Sequence, residues 1–252
     1  MFELDGKTVL VTGGSRGIGA AIVRTVGSLG AQVLLHYGQR EDAARAVQAE
    51  IGPERCHLIR ADLSDPAGAT ALWRGACEQA GRIDVLVNNA GVYEAASIDG
   101  PIEDWHAVWS RVLQINLLAP ADLCREAILH FRQHGGGKII NISSRAAFRG
   151  EAPDQMPYGA SKGALVTLTK TIARGYAKEG VLAFGIAPGF TDTDMVTERS
   201  DPEALKRVLD EIPLGTMTSA KEVGALTAFL CSDHAHHLTG ATFDVNGASY
   251  PR

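Results

Sequence analysis

Short β-branched runs alternate with longer amphipathic stretches along the whole of this 252-residue chain, and that alternation constrains the fold more than any other feature. The runs read as strands over Thr8–Val11, Gln32–His36, Cys56–Arg60, Val85–Asn88, Lys138–Ile142, Leu182–Ile186 and Thr242–Val245. Helical spacing fills the intervals Gly17–Leu29, Glu41–Ile51, Ala67–Ala80, Ile102–His134, Tyr158–Lys178 and Ala220–Cys231. Such a pattern predicts a parallel sheet with helices on both faces, a doubly wound α/β architecture of about seven strands. With 45% hydrophobic residues the chain can bury one large core, so residues 1–252 are expected to form a single domain. Residues 190–216 fit the alternation least well and are expected to form a partly helical insert near a substrate.

Charge narrows the function. A net charge of -5 with 21% charged residues argues against a nucleic-acid partner. The N-terminal MFELDGKTVLVTGG carries charges where a signal peptide needs its apolar stretch, and no apolar run reaches the ~18 residues of a membrane span. A cytoplasmic location and no membrane partner are therefore expected. Cys56, Cys77, Cys124 and Cys231 are scattered and read as free thiols. His234, His236 and His237 are expected in a loop; with no further ligand at metal spacing, no metal site is expected.

Gly13, Gly17 and Gly19 lie between the first strand and the first helix in a G-x-x-x-G-x-G spacing. Glycines there permit a tight turn and bring backbone N–H groups close to a pyrophosphate at a helix N-terminus. Far downstream, Tyr158 and Lys162 stand four apart, with Ser143 and Ser144 before them. A phenol titrates near pH 10 and is a poor proton donor or base at neutrality unless a cation favours its ionised form. Positions i and i+4 share one helix face, so Lys162 is placed to be that cation. A dinucleotide loop and an activated phenol together suggest a redox enzyme.

The chain resembles the short-chain dehydrogenase/reductase family, whose patterns T-G-x-x-x-G-x-G, N-N-A-G, a serine before Y-x-x-x-K, and P-G all occur here in order. They are Thr12–Gly19, Asn88-Asn89-Ala90-Gly91, Ser144 with Tyr158 and Lys162, and Pro188-Gly189. The resemblance implies a Rossmann-type fold and a catalytic set of Asn116, Ser144, Tyr158 and Lys162. In that set Tyr158 gives its proton to a carbonyl oxygen, Ser144 orients that oxygen, and Lys162 lowers the tyrosine pKa and holds the nicotinamide ribose. Asn116 anchors a water in a proton relay. The resemblance also implies cofactor contacts from Gly13, Ser15, Arg16, Gly17, Ile18, Gly19, Tyr37, Arg40, Asp62, Leu63, Asn89, Ala90, Gly91, Tyr158, Lys162, Pro188, Gly189, Thr191 and Thr193. Asp62 matches the position that faces the adenine ring.

Family members that prefer NAD usually place an aspartate at the end of the second strand to bind both ribose hydroxyls. Here that position is Tyr37, and Arg16 and Arg40 offer positive charge to a 2′-phosphate, which predicts NADP(H). The expected substrate is a small carbonyl or alcohol, 3-oxoacyl thioesters first because Pro188–Met195 resembles that subgroup, with Ser144, Arg145, Tyr158 and Phe190 in contact with it. A sugar, polyol or secondary-alcohol dehydrogenase is the alternative within the family, and a nucleotide-binding sensor without catalysis the alternative outside it. Two departures stand out. Phe184 replaces the asparagine of the family's V-N-x-x-x-P-G strand, and Gly175 sits mid-helix at about 1 kcal/mol below alanine in propensity. The family commonly forms homotetramers through this helix and the one holding Asn116. Glu179 stands where carrier-protein reductases often have a basic residue, so free ketones or simple thioesters are expected to react at least as well as carrier-bound ones.

Overall fold

The computed structural model describes residues 2–192 and 202–252. The chain runs β1 (Thr8–Val11), α1 (Gly17–Ser28), β2 (Gln32–Tyr37), α2 (Glu41–Ile51), β3 (Cys56–Arg60), α3 (Gly68–Ala80), β4 (Val85–Asn88), α4 (Ile102–Leu113), a π-helical turn (Gln114–Leu118) and α5 (Ala119–Gln133). It continues with β5 (Gly137–Ile142), α6 (Ala146–Arg149), α7 (Met156–Tyr176), β6 (Val181–Pro188), β7 (Thr191–Asp192), α8 (Pro202–Asp210), β8 (Thr218–Ser219), α9 (Ala220–Cys231) and β9 (Thr242–Val245). Among the described residues, seven strands form one sheet in the order β3-β2-β1-β4-β5-β6-β9, every pair parallel.

The strands are apolar on both faces because both are covered. Val9, Val11, Val33, Leu35, Val85, Val87, Ile140 and Phe184 pack with Ile22, Val26, Val47 and Val223 of α1, α2 and α9. Their neighbours of opposite parity, Leu10, Leu34, Leu86 and Ile139, pack with Leu72, Trp73, Leu123, Phe131 and Ile172 of α3, α5 and α7. Helix α9 opens on a capping box: Ser219 Oγ accepts the Lys221 N–H at 3.2 Å, and the Ser219 N–H donates to Glu222 Oε2 at 2.7 Å. Its Gly224 lets α1 come close, since a Cβ there would lie 2.7 Å from Thr25 Oγ1.

Several expectations are modified. The helix expected over Ile102–His134 is broken by the π-helical turn at Gln114–Leu118. The Tyr158 helix begins earlier, at Met156, and passes at Ala177–Glu179 into a 3₁₀ turn that Gly180 ends with φ +78°. His234, His236 and His237 lie in a 3₁₀ helix over Asp233–Leu238 rather than in an irregular loop. Phe184 is fully buried in the apolar layer under α1 and α9. The polar tie between strands occurs one pair over, where Asn88 and Asn141 face each other in register and Asn88 Nδ2 donates to Asn141 Oδ1 at 2.9 Å. Asn141 Nδ2 in turn donates to Thr169 Oγ1 of α7 at 2.8 Å. Among the described residues no helix is long and apolar enough to cross a membrane, and no three His, Cys, Asp or Glu side chains gather as metal ligands would.

Candidate active site

Strand order reverses between β1 and β4, which opens a crevice at the carboxyl ends of the central strands. The glycine loop after β1 is held there from two sides. The Gly13 N–H donates to His36 Nδ1 at 3.1 Å, and His36 Nε2 lies 3.2 Å from the Ala61 carbonyl oxygen. That pairing requires the neutral ring with its proton on Nε2, donated to Ala61. Burial pushes the His36 pKa down to about 4, so the ring is uncharged at neutral pH. From the other side, Thr12 Oγ1 accepts the Asn89 and Ala90 N–H groups at 2.9 and 3.0 Å. Asn89 Nδ2 donates to the Thr12 and Gly13 carbonyls at 2.9 and 3.2 Å.

This loop forms a cradle that side chains would fill. Gly13 adopts φ +65°, and a Cβ on Gly19 would lie 2.1 Å from the Gly13 carbonyl oxygen. Arg16, the N-cap of α1, makes no side-chain capping bond, and no acidic residue stands in the first turn, so this helix end offers N–H groups and a positive dipole to an anion. The donor set fits a dinucleotide pyrophosphate. Ser15 and Ile18 line the same turn, half-buried. Tyr37 closes β2, buried, while Arg16 and Arg40 are exposed. Arg40 forks onto Asp42, with both contacts at 3.2 Å. Asp62 is exposed and accepts the Ser64 N–H and hydroxyl at 2.9 and 2.6 Å, and Leu63 behind it is buried. Pro188 ends β6 and Gly189 follows it, and Thr191 Oγ1 donates to the Gly189 carbonyl at 3.1 Å. Thr193 lies outside the described residues.

Ser144, Tyr158, Lys162 and Asn116 come together beside this cradle. Ser143 Oγ donates to the Lys162 carbonyl at 2.9 Å, which pins α7 to the end of β5 and leaves Ser144 for the phenol. Burial raises the Tyr158 pKa above its usual value; the Ser144 hydroxyl pulls it down, and the Glu151 carboxylate adds to the rise. Lys162 Nζ donates to the Ile142 carbonyl at 2.9 Å and lies 5.8 Å from the centre of the Tyr158 ring. Burial pushes the Lys162 pKa down to about 8. In the free protein, desolvation is the largest influence on both groups.

Asn116 sits in the π-helical turn, fully buried. Its Oδ1 accepts the Val92 N–H at 2.8 Å, and its Nδ2 donates to the Val92 carbonyl at 3.0 Å and to Ser161 Oγ at 3.2 Å. Ser161 Oγ donates to the Tyr158 carbonyl at 2.7 Å. A Cβ on Gly91 would come within 3.3 Å of Asn116 Oδ1 and 3.4 Å of Lys162 Nζ, so the N-N-A-G segment passes directly over both.

At the mouth, the Tyr93 ring meets Tyr158 edge-on, with centroids 4.8 Å apart. Arg145, next after Ser144, is buried with its guanidinium carbon 4.2 Å from the centre of the Phe190 ring. His36, Ser161, Asn141, Glu151 and Glu211 were not anticipated as site residues. Only His36 and Asn141 left a trace, as polar side chains at the ends of apolar strands.

The family profile described as enoyl-(acyl carrier protein) reductase matches residues 13–248. The 3beta-hydroxysteroid dehydrogenase 1 of Eggerthella lenta is 38% identical over 97% of this chain and 94% of its own length. The 3-oxoacyl-(acyl-carrier-protein) reductase FabG of Rickettsia conorii is 36% identical over 98% of each chain. A crystal structure of a dehydrogenase/reductase from Sinorhizobium meliloti superposes with a TM-score of 0.90 at 34% identity, covering 99% of this chain and 97% of that one. The chain belongs to the short-chain dehydrogenase/reductase family. It is an oxidoreductase of CH–OH and C=O groups that works with a nicotinamide cofactor.

Proposed function

We propose that the protein is an NADPH-dependent reductase of a ketone, with 3-oxoacyl thioesters as the substrate class and Asn116, Ser144, Tyr158 and Lys162 as its catalytic set. The observation that carries this reading is the convergence of Ser144, Tyr158 and Lys162 at the end of β5, under the Gly91 segment and beside the glycine cradle. The bound cofactor supplies the hydride to the carbonyl carbon. Tyr158, kept protonated by its desolvated site, donates its proton to the carbonyl oxygen. Ser144 is a fixed donor aimed at the charge developing on that oxygen. Lys162, drawn below its usual pKa, can pass a proton on towards the phenol near neutral pH. The Asn116 side chain is committed to Val92 and Ser161, so we assign it the shaping of the site; any relay water is left to the main chain of the π-helical turn.

Preference for NADP(H) rests on Tyr37 in the place of an acid and on exposed Arg16 at the loop. The cofactor contacts are assigned to the cradle residues, to Asp62 and Leu63, and to the 188–193 segment. We further assign residues 1–252 to one catalytic domain with a substrate insert at 190–216, a cytoplasmic location, and a homotetramer built through α7 and the α4–α5 pair. A secondary-alcohol dehydrogenase acting on a bulky apolar substrate is the second reading, favoured by the steroid dehydrogenase relative and by exposed Ile98, Ile102 and Met156.

Oxidation of NADPH and NADH against a panel of 3-oxoacyl thioesters, plain ketones, steroid ketones and sugars tests the assignment. Tyr158→Phe should bind NADPH normally and lose at least ~10²-fold in kcat. Near-normal turnover by that variant would overturn the catalytic assignment.

A further inference from the structure

Arg145 has no role in the chemistry derived so far, yet it is a buried charge beside the site with one guanidinium nitrogen left without a hydrogen-bond partner. Its side chain is 3% exposed. One guanidinium nitrogen, Nη2, donates to Glu211 Oε2 at 3.2 Å, and the opposite one, Nη1, is buried without a hydrogen-bond partner. Glu211 is a poor counterion. Its side chain is 48% exposed, and the same oxygen also accepts from Arg149 Nη1 at 3.0 Å. A buried cation with half a carboxylate and an empty donor is a costly arrangement, and a buried unpaired donor in a native fold calls for a reason. Burial, with Arg149 nearby, draws the Arg145 pKa below its usual value, which agrees with an undercompensated charge.

The Arg145 backbone is anchored and its guanidinium packs on an aromatic ring. The Arg145 N–H donates to the Pro188 carbonyl at 2.9 Å, and Phe190 lies under the guanidinium face. One anchor is the last residue of β6 and the other lies two residues beyond it, and Ser144, beside the Tyr158 phenol, is the residue before Arg145. A planar fork placed in this way matches an oxygen acceptor, carboxylate or carbonyl.

We propose that Arg145 is the substrate-recognising cation of this site: it takes a second oxygen acceptor, a carboxylate or a thioester or ester carbonyl, carried a few bonds from the ketone, and Glu211 holds its place until that acceptor arrives. The exchange costs little, because Glu211 is already half in solvent and keeps Arg149 when it releases Arg145. The inference rests on the ketone-reductase reading above and adds to it the residue that recognises the acyl oxygen of a β-keto substrate.

The test compares an acetoacetyl thioester with a plain 2-alkanone of similar length, at saturating cofactor, in the wild type, Arg145→Gln, Arg145→Lys and Glu211→Gln. Wild type should prefer the thioester at least tenfold in kcat/KM. Arg145→Gln should lose about 10- to 100-fold on the thioester and no more than about threefold on the alkanone. Arg145→Lys should recover part of that loss, and Glu211→Gln should keep thioester activity or raise it. Equal losses on both substrates would make Arg145 a support of the loop and overturn the proposal. If Arg145→Gln fails to fold, the wild-type preference decides, and its absence overturns the proposal too. Failure of the wild type to turn over any carbonyl would instead refute the reductase reading, so the two are separable.

Discussion

The side-chain amide of Asn116 grips both peptide groups of Val92, accepting its N–H at 2.8 Å and donating to its carbonyl at 3.0 Å. A two-sided clasp of this kind imitates a strand partner. It extends the order of β4 past Gly91, so that the segment roofing Lys162 has somewhere to be held.

Asn116→Leu keeps the volume and removes the clasp, leaving the Val92 N–H and carbonyl without that partner. Each unmet group costs roughly 1–3 kcal/mol, so a loss of about 2–4 kcal/mol is expected. Thermal unfolding should show it as a fall of about 5–15 °C. A Tm within a degree or two of wild type would mean that Val92 finds other partners.

Lys162→Met should separate stability from function. The buried ammonium has one carbonyl partner, and its pKa is pushed down to about 8. From an unfolded value near 10.4, that shift is worth roughly 3 kcal/mol against the folded state. Losing the Ile142 bond returns about 1 kcal/mol of that, so the variant should gain about 1–2 kcal/mol, or several degrees in Tm, while turnover disappears. The sign with pH follows. Below pH 8 both states are protonated and the penalty is full; between about 8 and ~10.4 the unfolded state binds more protons, so wild-type stability recovers as pH rises. The advantage of the variant should therefore vanish above ~10.4, and a constant advantage across that window would contradict the argument.

His36 gives the opposite limb of the pH profile. It must stay neutral to accept the Gly13 N–H, and its pKa is about 4 against ~6.5 unfolded. Its contribution is fully present above ~6.5 and is lost as pH falls towards 4, at about 1.4 kcal/mol per unit. Cofactor affinity should hold through that window and fall only as pH passes below about 4, where the folded ring itself takes a proton and gives up the bond that shapes the glycine loop. His36→Asn retains an acceptor without the titration and should flatten both slopes. An unchanged acid limb in that variant would show that other groups set it.

Cofactor choice is carried by charge at the loop. Arg16→Ala with Arg40→Ala should weaken NADPH by two orders of magnitude or more, at ~1.5–3 kcal/mol for each charge-assisted bond, and leave NADH nearly unchanged. Arg40 already pairs with Asp42 on the surface, a contact that solvent and salt largely screen. Asp42→Asn should therefore tighten NADPH a few-fold. Fluorescence titration reads all of these, and equal losses for the two cofactors would remove the arginines from the 2′-phosphate.

Most of the fold was legible because each strand is buried on both faces and reads as an apolar run, while each covering helix shows one apolar stripe. Strand ends agreed to within a residue or two for that reason. The π-helical turn left no mark, because Gln114–Leu118 has the same helical spacing as its flanks and the extra residue is absorbed by Asn116 reaching for Val92. The site was legible where chemistry demands a residue type at fixed spacing, as at Tyr158 and Lys162. The Arg145–Glu211 pairing was not, since it joins positions 66 apart through a loop whose path no local pattern encodes. Likewise, Tyr158-x-x-x-Lys162 announced a cation near a phenol but said nothing of how dry the pair would be, and the pKa shifts of both follow from that dryness.

The carrier question turns on Glu179, which forks onto Arg132, Nε to Oε2 at 2.5 Å and Nη2 to Oε1 at 3.1 Å, with the guanidinium carbon 5.0 Å from the centre of the Tyr176 ring. Arg132 is one of the few cations near the end of α7 that an acidic carrier protein would use, and here it is neutralised in place. Electrostatic steering acts on association rate and fades with salt. The wild type should accordingly reduce an acyl group on a short thioester at least as well as the same group on a carrier, with little dependence on ionic strength. Glu179→Lys would release Arg132 and add a charge, and kcat/KM for the carrier-bound form should then rise several-fold at low salt and return to baseline at high salt, with the free thioester unaffected. A large, salt-sensitive carrier preference already present in the wild type would show that the carrier docks on another face of the molecule.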